Sequence, residues 1–184
     1  MQRIALHLAI TLLLFITTIS AKASTIFYAA TNIAGTVWQY DYTVQNDSYS
    51  DPILGFTVYF NSADYTNLVA VHSPGNWDVI VLQPDLSIPA DGLYDAVTTT
   101  GGIPPQSSLG GFSVQFQYLG AGHPGSQAFE FYIPEPFQVT LSGMTVDSTD
   151  PSGTIPEAQS AWLILLGLVM LGLTKLKHTT ISTT

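Results

Sequence analysis

Between residues 36 and 146 the apolar side chains recur at every second position, and this constrains the chain more than any other feature. A period of two belongs to a strand with one face buried, because successive side chains point to opposite faces. Trp38, Tyr40, Tyr42 and Val44 share one register over residues 36–46. Leu54, Phe56, Val58 and Phe60 share another, with Tyr59 opposite, and so do Phe112, Val114, Phe116 and Tyr118 against Ser113, Gln115 and Gln117. The spacing predicts further strands over 77–82, 128–133 and 137–146. Turn chemistry separates these runs at intervals of roughly 8 to 15 residues: Asn46-Asp47-Ser48, Asp51-Pro52, Ser73-Pro74-Gly75-Asn76, Asp91-Gly92, residues 101–105 and residues 120–125. Pro134 and Pro136 around Glu135 mark a turn or a sheet edge. No segment before Ala161 has a helical period. The pattern predicts an all-β fold: an antiparallel β-sandwich of about eight strands over residues 24–146, followed by a Ser/Thr/Asp/Gly/Pro-rich linker at 147–154.

The two ends read differently. Residues 1–23 have the form of a secretory signal peptide: Arg3, an apolar run over 4–16, and Ala21-Lys22-Ala23 as a small-x-small cleavage site, so that the mature chain starts at Ser24. Near the other end an uncharged run starts at Ala161 and is stopped by Lys175 and Lys177. At ~1.5 Å per residue a helix over 161–174 reaches across most of a ~30 Å hydrocarbon core. The lysines would stay on the cytoplasmic side, with the sandwich exported. Residues 179–184 form a short tail.

All four Lys and Arg residues lie in these end segments, and residues 24–174 contain neither. The 13 acidic residues, Asp41 through Glu157, all fall inside that stretch. Phosphate binding through Arg or Lys is therefore excluded, and nothing in the domain neutralises a nucleic acid backbone. The chain has no Cys, hence no disulfide, thiol nucleophile or thiolate metal site. The roughly 127 residues from 24 to 150 suffice for one domain with its own core.

Ile155-Pro156-Glu157-Ala158, an apolar Leu/Gly-rich run and a basic stop at the extreme C-terminus resemble the PEP-CTERM sorting signal. Pro156 and Glu157 match the first two positions of its Pro-Glu-Pro element, and Ala158 stands where the second proline falls. The resemblance implies an exported protein, held at least transiently in the inner membrane. It also implies recognition and cleavage of the tail by an exosortase, in bacteria that make extracellular polysaccharide. The middle of the chain also resembles a class of PEP-CTERM ectodomains. The residues that carry this are Tyr40-x-Tyr42-x-Val44-x-Asn46, Trp77-Asp78, Asp91-Gly92-x-Tyr94-Asp95, Phe112-Ser113-Val114-x-Phe116, and the segment from Tyr118 to Glu130. That likeness implies the export route and the fold, and no activity.

Chemistry-bearing residues are sparse. His72 and His123 are the only imidazoles in the domain, each in a Gly/Pro loop, and there is no G-x-S-x-G elbow. Glu130 with Glu135, and Asp91 with Asp95, are the carboxylate pairs a glycosidase would need. Asn46, Asp47 and Asp51, or Asp147, Ser148 and Asp150, offer oxygen ligands for Ca²⁺ without an EF-hand pattern. No other metal site or cofactor is indicated. Trp38, Tyr40 and Tyr42, on one strand face, would stack against sugar rings if that face were open. The reading that follows is an exported, non-enzymatic component of the cell surface or extracellular matrix. Its alternative is a module that binds extracellular polysaccharide, and a third reading is a hydrolase.

Overall fold

The computed structural model describes residues 23–47 and 50–149. The expected signal peptide through Lys22, the expected sorting element Ile155 to Ala158 and membrane segment, Lys175 and Lys177 and the tail lie outside the described residues. Ala23, at the expected cleavage point, is exposed at the head of the first strand.

Ten strands run in chain order: β1 Thr25–Ala34, β2 Val37–Asn46, β3 Gly55–Phe60, β4 Tyr65–His72, β5 Trp77–Leu82, β6 Gly92–Thr98, β7 Ser107–Tyr118, β8 Ala128–Ile133, β9 Gln138–Met144 and β10 Val146–Asp147. They form two five-stranded sheets, β10-β1-β2-β7-β4 and β5-β6-β3-β8-β9. The expected all-β architecture is present, with two more strands than the alternation predicts. It is not wholly antiparallel: β10 runs parallel to β1, pairing Phe27 with Val146, while the other pairings are antiparallel. Ser148 donates its N–H to the Tyr28 carbonyl, so the fold continues past the expected boundary at 146.

The core is aromatic. The first sheet contributes Tyr28, Tyr40, Tyr42, Phe112 and Phe116, and the second Phe56, Phe60, Trp77, Tyr94, Phe129 and Phe131, all buried. Phe56 meets the Phe112 ring edge-on at 4.9 Å, and Trp77 meets it at 5.2 Å, so one ring of the first sheet locks two of the second. Without disulfides, this packing and the strand ladders hold the domain together.

A polar network is sealed inside at one end. Gln127, 3% exposed, donates through Nε2 to the phenol oxygens of Tyr40 (2.6 Å) and Tyr65 (3.3 Å) and to the Gly125 carbonyl. Its Oε1 accepts from the Tyr42 phenol (3.2 Å) and Thr145 Oγ1 (3.3 Å). The side chain thus ties the 119–127 loop and the approach to β10 onto the core, satisfying groups that are costly to bury alone.

Candidate functional site

β3 lies at the centre of the second sheet, and its alternation sends Phe56, Val58 and Phe60 inward and Thr57 and Tyr59 outward. The register sets Thr57 opposite Asp95 of β6 on one side and Glu130 of β8 on the other. It also sets Gly55 opposite Tyr132. Because Gly55 has no side chain, the Tyr132 ring lies across it; a Cβ there would meet that ring at 2.5 Å. The Tyr132 phenol thereby reaches over β3 and donates to Asp95 Oδ2 at 3.0 Å. Thr57 Oγ1 donates to Asp95 Oδ1 at 2.6 Å, and the Tyr59 phenol donates to Glu130 Oε2 at 3.0 Å.

The outer face of this sheet thus carries a row of two phenols and two carboxylates fixed to one another across β6, β3 and β8. Phe137, in the β8–β9 turn, extends the row: its ring sits 5.3 Å from that of Tyr132 and is 69% exposed. Partial burial, the bond to Glu130 and that carboxylate's charge together push the Tyr59 phenol up to about 12. Burial and then the Asp95 charge raise Tyr132 as well. Both phenols stay protonated at any ordinary pH and keep donating. Exposed aliphatic side chains flank the row, Ile80 and Leu82 on β5 and Val139 and Met144 on β9.

The outer face of the first sheet carries a run of polar side chains beside the exposed Val69 of β4. Asn67 donates to Gln117 (2.8 Å), Gln115 to Gln39 (3.0 Å), Gln39 to Asp41 (2.9 Å), and Ser113 to the same Asp41 oxygen (2.5 Å). These residues form a ladder of side-chain hydrogen bonds with no aromatic ring among them.

Several sequence expectations are corrected here. Tyr40 and Tyr42 are 0% and 1% exposed, so they cannot stack against a sugar; their face of β2 points into the core. Trp38 is half-buried, with the exposed His123 ring edge-on at 5.2 Å. A period of two marks a strand with an apolar face, and such a face is normally the inner one. Asn46 is fully buried, and Nδ2 donates to the carbonyls of Asp51 and Ile103, both at 2.9 Å, while Oδ1 accepts from Ser24. Asp47 accepts from the Gln45 amide. Asp147 accepts from the N–H and hydroxyl of Thr149, and Asp150 lies outside the described residues. Among the described residues no group of three or more His, Asp or Glu side chains is placed to hold a metal ion.

Neither carboxylate pair holds together. Glu130 is in mid-strand on the open face, whereas Glu135 is exposed in the turn beyond β8. Asp95 joins the row, while Asp91 precedes β6 and accepts from the Ser62 N–H. His72 ends β4, and His123 lies in the 119–127 loop. A cavity of about 440 Å³ is lined by apolar residues including Ile53, Leu54 and Leu141, with Asp51 and Tyr132 also in its wall and none of His72, His123, Glu130 or Glu135.

The row contains Thr57, Tyr59, Tyr132 and Phe137, none of which stands out as a motif. The one legible sign was Tyr59, an aromatic residue on the side of its strand opposite the apolar register.

No protein-family model matches the chain, and no curated protein does. Among solved structures it is similar to the chitin-binding domain of Chi18aC from Streptomyces coelicolor, at 18% identity and a TM-score of 0.37, covering 71% of this chain and 98% of that one. It is also similar to a cohesin module from a Clostridium perfringens family 33 glycoside hydrolase, at 6% identity and a TM-score of 0.42, covering 70% of this chain and 100% of that one. A third likeness is to an exo-β-N-acetylglucosaminidase from Vibrio harveyi, at 9% identity and a TM-score of 0.36, covering 69% of this chain but 18% of that one.

Proposed function

We propose that this chain is an exported, non-enzymatic binding module of the cell surface or extracellular matrix, and that the outer face of its second sheet binds polysaccharide. The observation that carries the reading is the row Thr57, Tyr59, Asp95, Glu130, Tyr132 and Phe137. Carboxylates held in place by phenols are preorganised acceptors for sugar hydroxyls; the exposed Phe137 ring and the half-buried Tyr59 ring offer faces to the C–H side of a pyranose, while Tyr132, 7% exposed, serves to hold Asp95. Apart from Tyr132, which also borders the cavity at Ile53 and Leu54, the row lies on the outer face of a sheet, which suits a long polymer.

The test is co-sedimentation with chitin, with cellulose and with the polysaccharide of the producing cells. Tyr59→Ala and Phe137→Ala are each expected to weaken the retained binding by about tenfold, the loss typical of a central aromatic contact. Gln115→Ala, on the opposite face, is expected to change nothing. Equal loss from all three, or from none, would remove this face from the function.

The same proposal includes sorting at the tail, supported by the order Pro156-Glu157, apolar run, Lys175 and Lys177. Pro156→Ala or Glu157→Ala is expected to leave the chain at full C-terminal mass in the membrane fraction. Unchanged release of both variants by intact mass would remove the exosortase from the account.

A further inference from the structure

Among the described residues four strands form the outer edges of the two sheets: β10 and β4 in the first, β5 and β9 in the second. A free edge presents a row of N–H and C=O groups, and soluble proteins blunt theirs with short strands, bulges, prolines or charges, lysine above all. This domain has no lysine to use. β10 is only two residues long. β4 has two register breaks and a left-handed Asn67, and the Gln83 side chain binds both the N–H (2.9 Å) and the C=O (2.7 Å) of Leu68. β9 has a register break against Phe131 and Tyr132. β5 has none of these guards. Its six residues keep an unbroken register with β6, and Asp78 is the sole charge before Val79-Ile80-Val81-Leu82.

The hydrogen bonds fix which groups of β5 face outward. Thr99 donates its N–H to the Asn76 carbonyl, and on the far side of β6 Thr98 donates to Leu54. Bonded and non-bonded pairs alternate in an antiparallel ladder, so Asp78–Val97, Ile80–Asp95 and Leu82–Leu93 are the bonded pairs with β6. The N–H and C=O groups of Val79 and Val81 therefore point away from the sheet.

We propose that two copies of this chain pair β5 to β5, antiparallel, about a two-fold axis through Ile80, joining their second sheets into one ten-stranded sheet. In that register Val79 of each copy lies opposite Val81 of the other, and the outward groups form four main-chain bonds. Ile80 meets Ile80 on the outer face as a close, non-bonded pair, with Cα atoms about 4.5 Å apart. Asp78 falls opposite Leu82, which keeps the two Asp78 carboxylates on the order of 13 Å apart along the strands. Centring the axis on Val79 instead would call on the Trp77 N–H, which already donates to the Pro74 carbonyl. The occupant is a second copy because the strand is complementary to itself in this register. The two-fold uses the same β5 edge in both copies, so this contact closes on itself at the dimer. Each copy is strongly acidic, so long-range repulsion opposes pairing and salt relieves it.

The chain has no cysteine, which makes the test clean. The exported chain, in the form its cells hold it, is examined by sedimentation velocity from low to high salt. The expected result is a dimer whose affinity rises with salt. Ile80→Lys, at a side chain 58% exposed, is expected to lower the association constant at least about tenfold with an unchanged melting temperature. Ile80→Cys is expected to form a reducible cross-linked dimer on mild oxidation, since the paired Cα atoms lie at the short end of disulfide reach. Ser142→Cys, exposed on β9, is expected not to cross-link. A chain that stays monomeric at every salt concentration overturns the proposal. So does a dimer indifferent to Ile80→Lys, or one that cross-links equally through residues 80 and 142.

Discussion

Gln127→Leu is expected to cost the domain about 2–4 kcal/mol and roughly 10 °C in melting temperature, the largest loss for any single polar side chain here. Leucine fills much of the same space but neither donates nor accepts. The Tyr42 phenol, which donates to Gln127 Oε1, is left buried without that acceptor, and the Tyr40 and Tyr65 phenols each lose the amide donor. Tyr40 keeps its 2.7 Å bond to the Gly125 carbonyl and its contact with Tyr65, so the network is wounded rather than erased. This yields a sharper check than the single substitution. Tyr42→Phe in the native background should cost about 1 kcal/mol, because it removes a satisfied bond. In the Gln127→Leu background it should be neutral or stabilising, because it removes an orphan. Equal costs for Tyr42→Phe in both backgrounds, by chemical denaturation, would show that Gln127 is not what satisfies that phenol.

The second large effect is alkaline. Burial is the leading cause that raises Tyr40, Tyr42, Tyr65, Tyr94 and Tyr132, and Tyr59 is pushed up to about 12. Each is a group whose folded value lies above its unfolded value near 10. Its contribution is therefore complete below pH 10 and is lost as pH rises from there towards the folded value, because the unfolded chain sheds its phenolic protons first. Each fully buried phenol removes about 1.4 kcal/mol of stability per pH unit above 10. With several acting together, a typical domain stability is gone within about one to two pH units. Residues 24–174 contain no lysine, so no ammonium titration overlaps this window. Circular dichroism against pH should show a flat line to about pH 10 and then a steep cooperative loss, with phenolate absorbance at 295 nm rising in step. Tyrosines ionising one at a time near pH 10 in a chain that stays folded would contradict the packing described here.

How much of this was legible in the sequence depends on the strand. β2, β3 and β7 alternate large apolar with polar residues, so their registers and inward faces can be read directly. β1 was not seen because Phe27 sits on the face opposite Ile26 and Tyr28 and blurs the period. β4 was hidden by the left-handed Asn67 and two register breaks, which put Val69 and Val71 out of phase. At the start of β6, Asp91-Gly92 reads as a turn, yet Gly92 is in the strand, where Pro84 leaves no room for a side chain. Period two shows that a face is apolar without showing what covers it, so the sequence alone does not decide whether the Tyr40 and Tyr42 face meets a sugar or the other sheet.

The candidate site was less legible still. Thr57, Asp95 and Glu130 are neighbours only because β3 lies between β6 and β8, an order set by long-range pairing rather than by any local signal. Gln127 follows a Gly/Pro loop and carries no pattern at all.

The most direct test of the central claim is titration of the natively expressed protein with the polysaccharide of its own cells, with the wild type beside Tyr59→Ala and Phe137→Ala at matched stability. The account predicts saturable binding by the wild type and about a tenfold loss in each variant. Wild-type binding that both variants retain in full, or no binding at all by the folded protein, would contradict it.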